Sequence, residues 1–134
     1  MVDHHGALVY TMVLASACDT GMTDSELRTI GDIVTHLPIF AEFENKHLKK
    51  VLSDCTALLQ REDGLDEALK AIKTALPPRL RETAYAVACD VVASDGEATQ
   101  EELRFLELLR ARLQIERLIA ARIERGARAR FMTL

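Results

Sequence analysis

Five carboxylates stand where their types and spacing could do chemistry together. Asp19 and Glu26 bracket a turn early in the chain, and Asp95 and Glu102 bracket another turn 76 residues later. Asp90 precedes the second turn by about one and a half helical turns. It sits inside the run Ala88-Cys89-Asp90-Val91-Val92-Ala93, where a carboxylate needs solvent or a partner. If the two turns pack side by side, Asp19, Glu26, Asp90, Asp95 and Glu102 form one acidic cluster. Hard oxygen donors of this sort suit a divalent cation such as Ca2+, Mg2+ or Mn2+ rather than Zn2+. The spacing is not that of an EF-hand. With Asp90 as the first position, Asp95 takes the place of the required glycine and Val92 that of a ligand.

The same acids have a competing structural use. Thr23 with Glu26, and Thr99 with Glu102, each fit a capping box, in which threonine and glutamate satisfy each other's backbone N–H groups. The aspartates have no such account. A carboxylate ending a helix meets the negative end of the dipole, at a cost of about 0.3–1 kcal/mol unless an Asx turn or a cation offsets it. Metal binding and helix capping are both open on these residues.

A second constellation is basic. Arg117, Arg122, Arg125, Arg128 and Arg130 alternate with Ile119, Ile123 and Phe131 near the end of the chain. A basic amphipathic helix of this kind binds an acidic protein partner, acidic lipid or nucleic acid, or else docks inward and leaves a solvated charged face. Catalysis finds little support. Paired carboxylates can do acid–base work, but no glycine-rich phosphate loop, nucleophile elbow or His–Asp metal dyad accompanies them, so the chain is not expected to be an enzyme. His36 and His47 are expected on the solvated surface. Cys18, Cys55 and Cys89 are odd in number and far apart, which fits buried thiols in a reducing compartment rather than disulfides or a metal knuckle.

The elements that must position these groups follow from composition. With 134 residues, 49% hydrophobic and 4% aromatic, the chain makes one domain with an aliphatic core suited to close-packed helices. Charged residues at 28% interrupt any membrane span, and a net charge of −4 argues against a nucleic-acid partner. That mild average hides two poles. Residues 115–134 carry a net +3 and the rest −7. With no targeting segment at its start, the chain is expected in the cytoplasm.

Apolar residues recur at helical spacing nearly throughout. A first helix runs from about Gly6 to the stop at Asp19-Thr20-Gly21. A second, capped by Thr23, turns Leu27, Ile30, Ile33, Val34 and Leu37 inward and closes at Pro38; residues 39–44 read as a loop. A third, over about Asn45–Arg61, places Leu48, Val51, Leu52, Cys55, Leu58 and Leu59 inward. A fourth spans about Leu65–Leu76 and a fifth about Arg79–Ser94. The sixth carries Leu103, Leu106, Leu109 and Leu113, and the seventh Ile115, Leu118, Ile119 and Ile123. No strand is predicted. The expectation is a single all-α domain over residues 1–134, a bundle of about seven helices.

The chain also repeats itself. A shift of 76 residues superposes Ala17, Asp19, Thr23, Glu26, Leu27, Arg28, Leu37 and Ile39 on identical residues at Ala93, Asp95, Thr99, Glu102, Leu103, Arg104, Leu113 and Ile115. Two helix–turn–helix units, about 10–39 and 86–115, are therefore duplicated around an intervening pair of helices. The stretch Ala88 to Leu103, with Asp95-Gly96 in its turn, resembles the helix–turn–helix signature of TerB-like tellurite-resistance proteins. The signature is shared with the N-terminal domains of DjlA-type co-chaperones. Residues 17–27 look like a second copy, with Thr20 where glycine is usual. The resemblance implies an all-helical, internally duplicated fold and a cytoplasmic stress-response role without established catalysis. It also implies metal binding through the matching acids Asp19, Glu26, Asp95 and Glu102, and protein partners in complexes associated with the inner membrane.

Overall fold

The computed structural model describes residues 2–16, 23–94, 96 and 98–134. Seven α-helices follow one another: α1 (His4–Ser16), α2 (Asp24–His36), α3 (Asn45–Leu59), α4 (Gly64–Ala75), α5 (Arg81–Ala93), α6 (Gln100–Leu113) and α7 (Arg117–Arg130). Short 3-10 turns at Pro38–Phe40 and Pro78–Leu80 lead out of α2 and into α5. Among the described residues there is no strand, so the all-α bundle expected from the spacing is the fold.

Two helices lack a polar stripe, and they form the centre. Every residue of α1 from Gly6 to Ser16 is buried, and α5 buries Ala84, Tyr85, Val87, Ala88, Cys89, Val91 and Val92. A helix that is apolar all round has to be enclosed on all sides, and α1 and α5 make the most extensive helix contact in the bundle. Buried hydroxyls inside α1 stay satisfied: Thr11 donates to the Ala7 carbonyl at 2.7 Å and Ser16 to that of Val13 at 3.0 Å.

The first helices of the two repeats, α1 and α5, pair with each other. The second helices then pack unequally: α2 lies mainly on α5, the other repeat's first helix, whereas α6 packs on its own repeat's α5 as well as on α1. The intervening pair, α3 and α4, lies to one side against α1. Here α3 is a cover rather than a core helix. Of its expected inward residues only Cys55 is fully buried, while Leu48, Val51, Leu52, Leu58 and Leu59 pack half-buried against the core.

Several expectations shift by a residue or a face. Asp3 caps α1 by accepting the Gly6 N–H at 2.8 Å, so the helix starts at His4 rather than Gly6. The expected loop after Pro38 contains a 3-10 turn anchored by buried Phe40. The third helix ends at Leu59, two residues early, and α5 starts at Arg81 because Pro78–Leu80 forms the tighter turn. Leu27, Leu103 and Leu118, read as inward residues, are about half exposed at 46%, 49% and 57%. In α6 it is Phe105 that joins Leu106, Leu109 and Leu113 in the core.

Candidate functional site

The two turns are fastened in the same way. At the start of α2, Thr23 Oγ1 accepts the Glu26 N–H at 3.1 Å, and the Thr23 N–H donates to Glu26 Oε1 at 2.9 Å. At the start of α6, the Glu102 N–H donates to Thr99 Oγ1 at 3.1 Å and the Thr99 N–H to Glu102 Oε1 at 2.8 Å. Both capping boxes read from the sequence are complete. Each glutamate is buried, and each carboxylate faces the positive end of a helix dipole.

The packing of α2 on α5 brings the start of α2 against the end of α5. Ser25, on the first turn of α2, donates to the carbonyl of Ser94 at the end of α5, at 3.4 Å. That carbonyl is one of the acceptors a helix end leaves without a partner. Gly96 follows with φ +91°, the left-handed backbone that favours glycine, and its N–H returns to the Ala93 carbonyl at 3.0 Å.

Asp90 is elsewhere engaged. Its carboxylate forms a close ion pair with Arg130 of α7. One candidate metal ligand and one candidate partner-binding arginine are thus each other's counterion, joined across 40 residues. Asp19 and Asp95 lie outside the described residues. Among the described residues no three His, Cys, Asp or Glu side chains are grouped so that they could hold a metal ion. Glu26, Asp90 and Glu102 alone do not fit a divalent cation, and the implied site depends on Asp19 and Asp95.

The basic residues separate into two kinds. Arg130 is turned to Asp90, and Arg117 comes within 3.9 Å of Glu107 on α6. Arg122, Arg125 and Arg128 are exposed and have no ion pair among the described residues. The inner side of α7 buries Ala120 and Ala127, small residues that let it lie close on α5, its principal neighbour.

One buried polar pair escaped the sequence reading. Tyr85 of α5 donates its hydroxyl to Glu124 of α7 at 2.5 Å. Burial and this hydrogen bond raise the tyrosine's pKa well above its ordinary value. Burial likewise pushes the nearby Cys89 thiol up to about 12, and Cys55 up to about 12, so both stay protonated and inert at neutral pH. The only forewarning was a lone glutamate on the inward side of an arginine-rich helix. Cys89 also lines a cavity of about 310 Å³, walled by Ala98 and Leu103 on one side and Ala127 and Phe131 on the other. Its neighbours Ala98 and Leu103 hold the N′ and N4 places of a hydrophobic staple, which explains an outward leucine in the first turn of α6. His36 and His47 are exposed, as expected.

The tellurite resistance protein TerB family model matches residues 5–125 of the chain. No curated protein and no solved structure gives a significant match. The family match covers both duplicated hairpins and their capping boxes, and it ends in the middle of α7, before Arg128 and Arg130. With an all-helical fold, an internal duplication and a match over nine-tenths of its length, the chain belongs to the TerB family of tellurite-resistance proteins.

Proposed function

We propose that the chain serves tellurite resistance as a non-enzymatic docking module of the cytoplasm, in which the glutamates of the duplicated turns cap helices and the outer face of α7 engages an acidic partner in a stress-response complex. The observation that carries this reading is the outer face of α7, where Arg122, Arg125 and Arg128 are exposed and form no ion pair among the described residues. An unneutralised row of guanidinium groups attracts anionic surfaces and steers their approach. No described helix is long and apolar enough to cross a membrane.

The test is protection of a tellurite-sensitive bacterium by the wild-type chain and by the triple variant Arg122→Glu/Arg125→Glu/Arg128→Glu. Because these side chains are exposed, the variant's melting temperature should match the wild type. Protection should be lost. Full protection by the triple variant would remove α7 from the function.

A divalent cation held by the acids of the duplicated turns is the second reading, favoured by the Ser25–Ser94 bond that joins the start of α2 to the end of α5. It needs Asp19 and Asp95 as ligands. Melts with and without Ca2+, Mg2+ and Mn2+, repeated for Asp95→Asn, decide it. A stabilising shift lost in the variant supports the site, and no shift at millimolar excess of any of the three ions refutes it.

A further inference from the structure

We infer that the surface α7 engages is an anionic lipid bilayer, on which its outer face lies flat, together with the segment that follows it. The inference rests on the reading of α7 as the docking face and names the partner. At 100° per residue, the side chains on the outside of α7 fall in the order Arg117, Arg128, Ala121, Arg125, Leu118, Ala129, Arg122, across an arc of roughly 140°. All seven are exposed and none is acidic. Three described acids near this arc are turned away or engaged. Glu116 stands at the N-cap, Glu124 is turned inward to Tyr85, and Glu107 is engaged by Arg110 as well as Arg117. From Arg117 to Arg128 the row is roughly 16 Å long, enough to meet several headgroups side by side.

Charge alone suits any polyanion. Exposed apolar groups within and just after this arginine row favour lipid. Leu118 lies in the middle of the arginine arc, and Met132 and Leu134 follow the last arginine, all three strongly exposed. A nucleic acid or an acidic peptide would pair the guanidinium groups and leave these side chains in water. A bilayer accepts both, with phosphates at the arginines and the apolar tips at the acyl boundary. The whole chain carries a net −4 and is repelled by an anionic surface at long range, so adsorption has to come from this face and has to weaken with salt.

Co-sedimentation with vesicles containing one-third phosphatidylglycerol in phosphatidylcholine tests the assignment, against vesicles of phosphatidylcholine alone. The chain should pellet with the first and not with the second. Each neutralised arginine should lower partitioning about fivefold, so Arg122→Gln/Arg125→Gln/Arg128→Gln should bind roughly a hundredfold more weakly. Leu118→Ser/Met132→Ser, with unchanged charge, should also bind more weakly. The substituted residues are exposed, and circular-dichroism melts should show every variant folded. Absence of binding to the anionic vesicles overturns the inference. Heparin or poly-glutamate binding as tight as the vesicles, with Leu118→Ser/Met132→Ser without effect, also overturns it, in favour of a soluble polyanion. The two readings fail separately. If the charge-reversed triple variant loses tellurite protection while vesicles are not bound, docking by α7 stands and lipid falls. If vesicles are bound while that variant protects fully, the bilayer contact stands and its role in resistance falls.

Discussion

Three substitutions at Thr99 and Glu102 test how much of the turn's stability is capping. In Thr99→Ser the hydroxyl that accepts the Glu102 N–H is kept, whereas Thr99→Ala removes it and leaves that N–H without its partner. Loss of such a cap costs about 1 kcal/mol. For 134 residues, an unfolding entropy of about 2.1 cal/mol/K per residue gives roughly 0.28 kcal/mol per degree at the midpoint. Thr99→Ala should therefore melt about 3–4 °C lower, and Thr99→Ser within about 1 °C of the wild type. Glu102→Gln keeps an oxygen to accept the Thr99 N–H and loses only its charge at the helix N-terminus, about 0.3–1 kcal/mol, or roughly 1–4 °C.

Differential scanning calorimetry of the four proteins in a chelating buffer makes the measurement. Thr99→Ala melting with the wild type would refute the capping role, because the box would then contribute nothing. Glu102→Gln falling well below Thr99→Ala would refute it too: with divalent ions chelated, the buried carboxylate would be contributing something that neither the cap nor a neutral amide of the same shape supplies.

Three other outcomes follow from single positions. A methyl group on Gly64 would stand 2.2 Å from the Leu58 carbonyl oxygen, so Gly64→Ala should cost about 1–3 kcal/mol in urea unfolding as the α3–α4 connection shifts. Gln114 ends α6 at φ +58°, and Gln114→Gly should raise stability by about 1 kcal/mol, read as a higher melting temperature. Cys55, Cys89 and Tyr85 all have folded-state pKa values raised above their ordinary values of 9.0 and 10.0. Their neutral forms stabilise the fold fully below those ordinary values, and the contribution disappears as pH rises through the thiols' folded value of about 12. Urea midpoints should hold to pH 8.5 and decline from pH 9 to 11; a flat profile over that range contradicts the assignment.

Local chemistry was legible in the sequence and long-range pairing was not. A capping box is written within four residues, so Thr23–Glu26 and Thr99–Glu102 are recognisable from the residues alone. The 76-residue shift was visible because the repeat carries identities at its caps and at Leu37/Leu113. By contrast, Asp90 finds Arg130 and Tyr85 finds Glu124 across about 40 residues, with nothing nearby in sequence to announce either pair. Spacing also misplaced Leu27 and Leu103. An apolar residue in the first helical turn satisfies the periodicity of the core, yet Leu103, at the fourth position of α6, belongs to the staple with Ala98, the residue before the cap.

The duplication kept its caps and gave up its symmetry at the contact between the turns. Ser25 of α2 donates to the Ser94 carbonyl, and the residue 76 positions after Ser25 is Glu101. An ionised carboxylate has no proton to give a carbonyl, so the reciprocal bond cannot form, and Glu101 is exposed. A similar divergence marks the far end of the same helices. The counterpart of buried Val34 is Arg110, which reaches past the helix end to the Ile115 carbonyl at 3.0 Å and back to Glu107 at 3.0 Å. Where α2 stops at Pro38, α6 instead turns through a left-handed Gln114 and delivers the chain into α7. These departures have one consequence. The second repeat enters α7 three residues after α6, where the first takes eight residues and a 3-10 turn to reach α3, and each of these helices packs on its own repeat's first helix, α7 on α5 and α3 on α1.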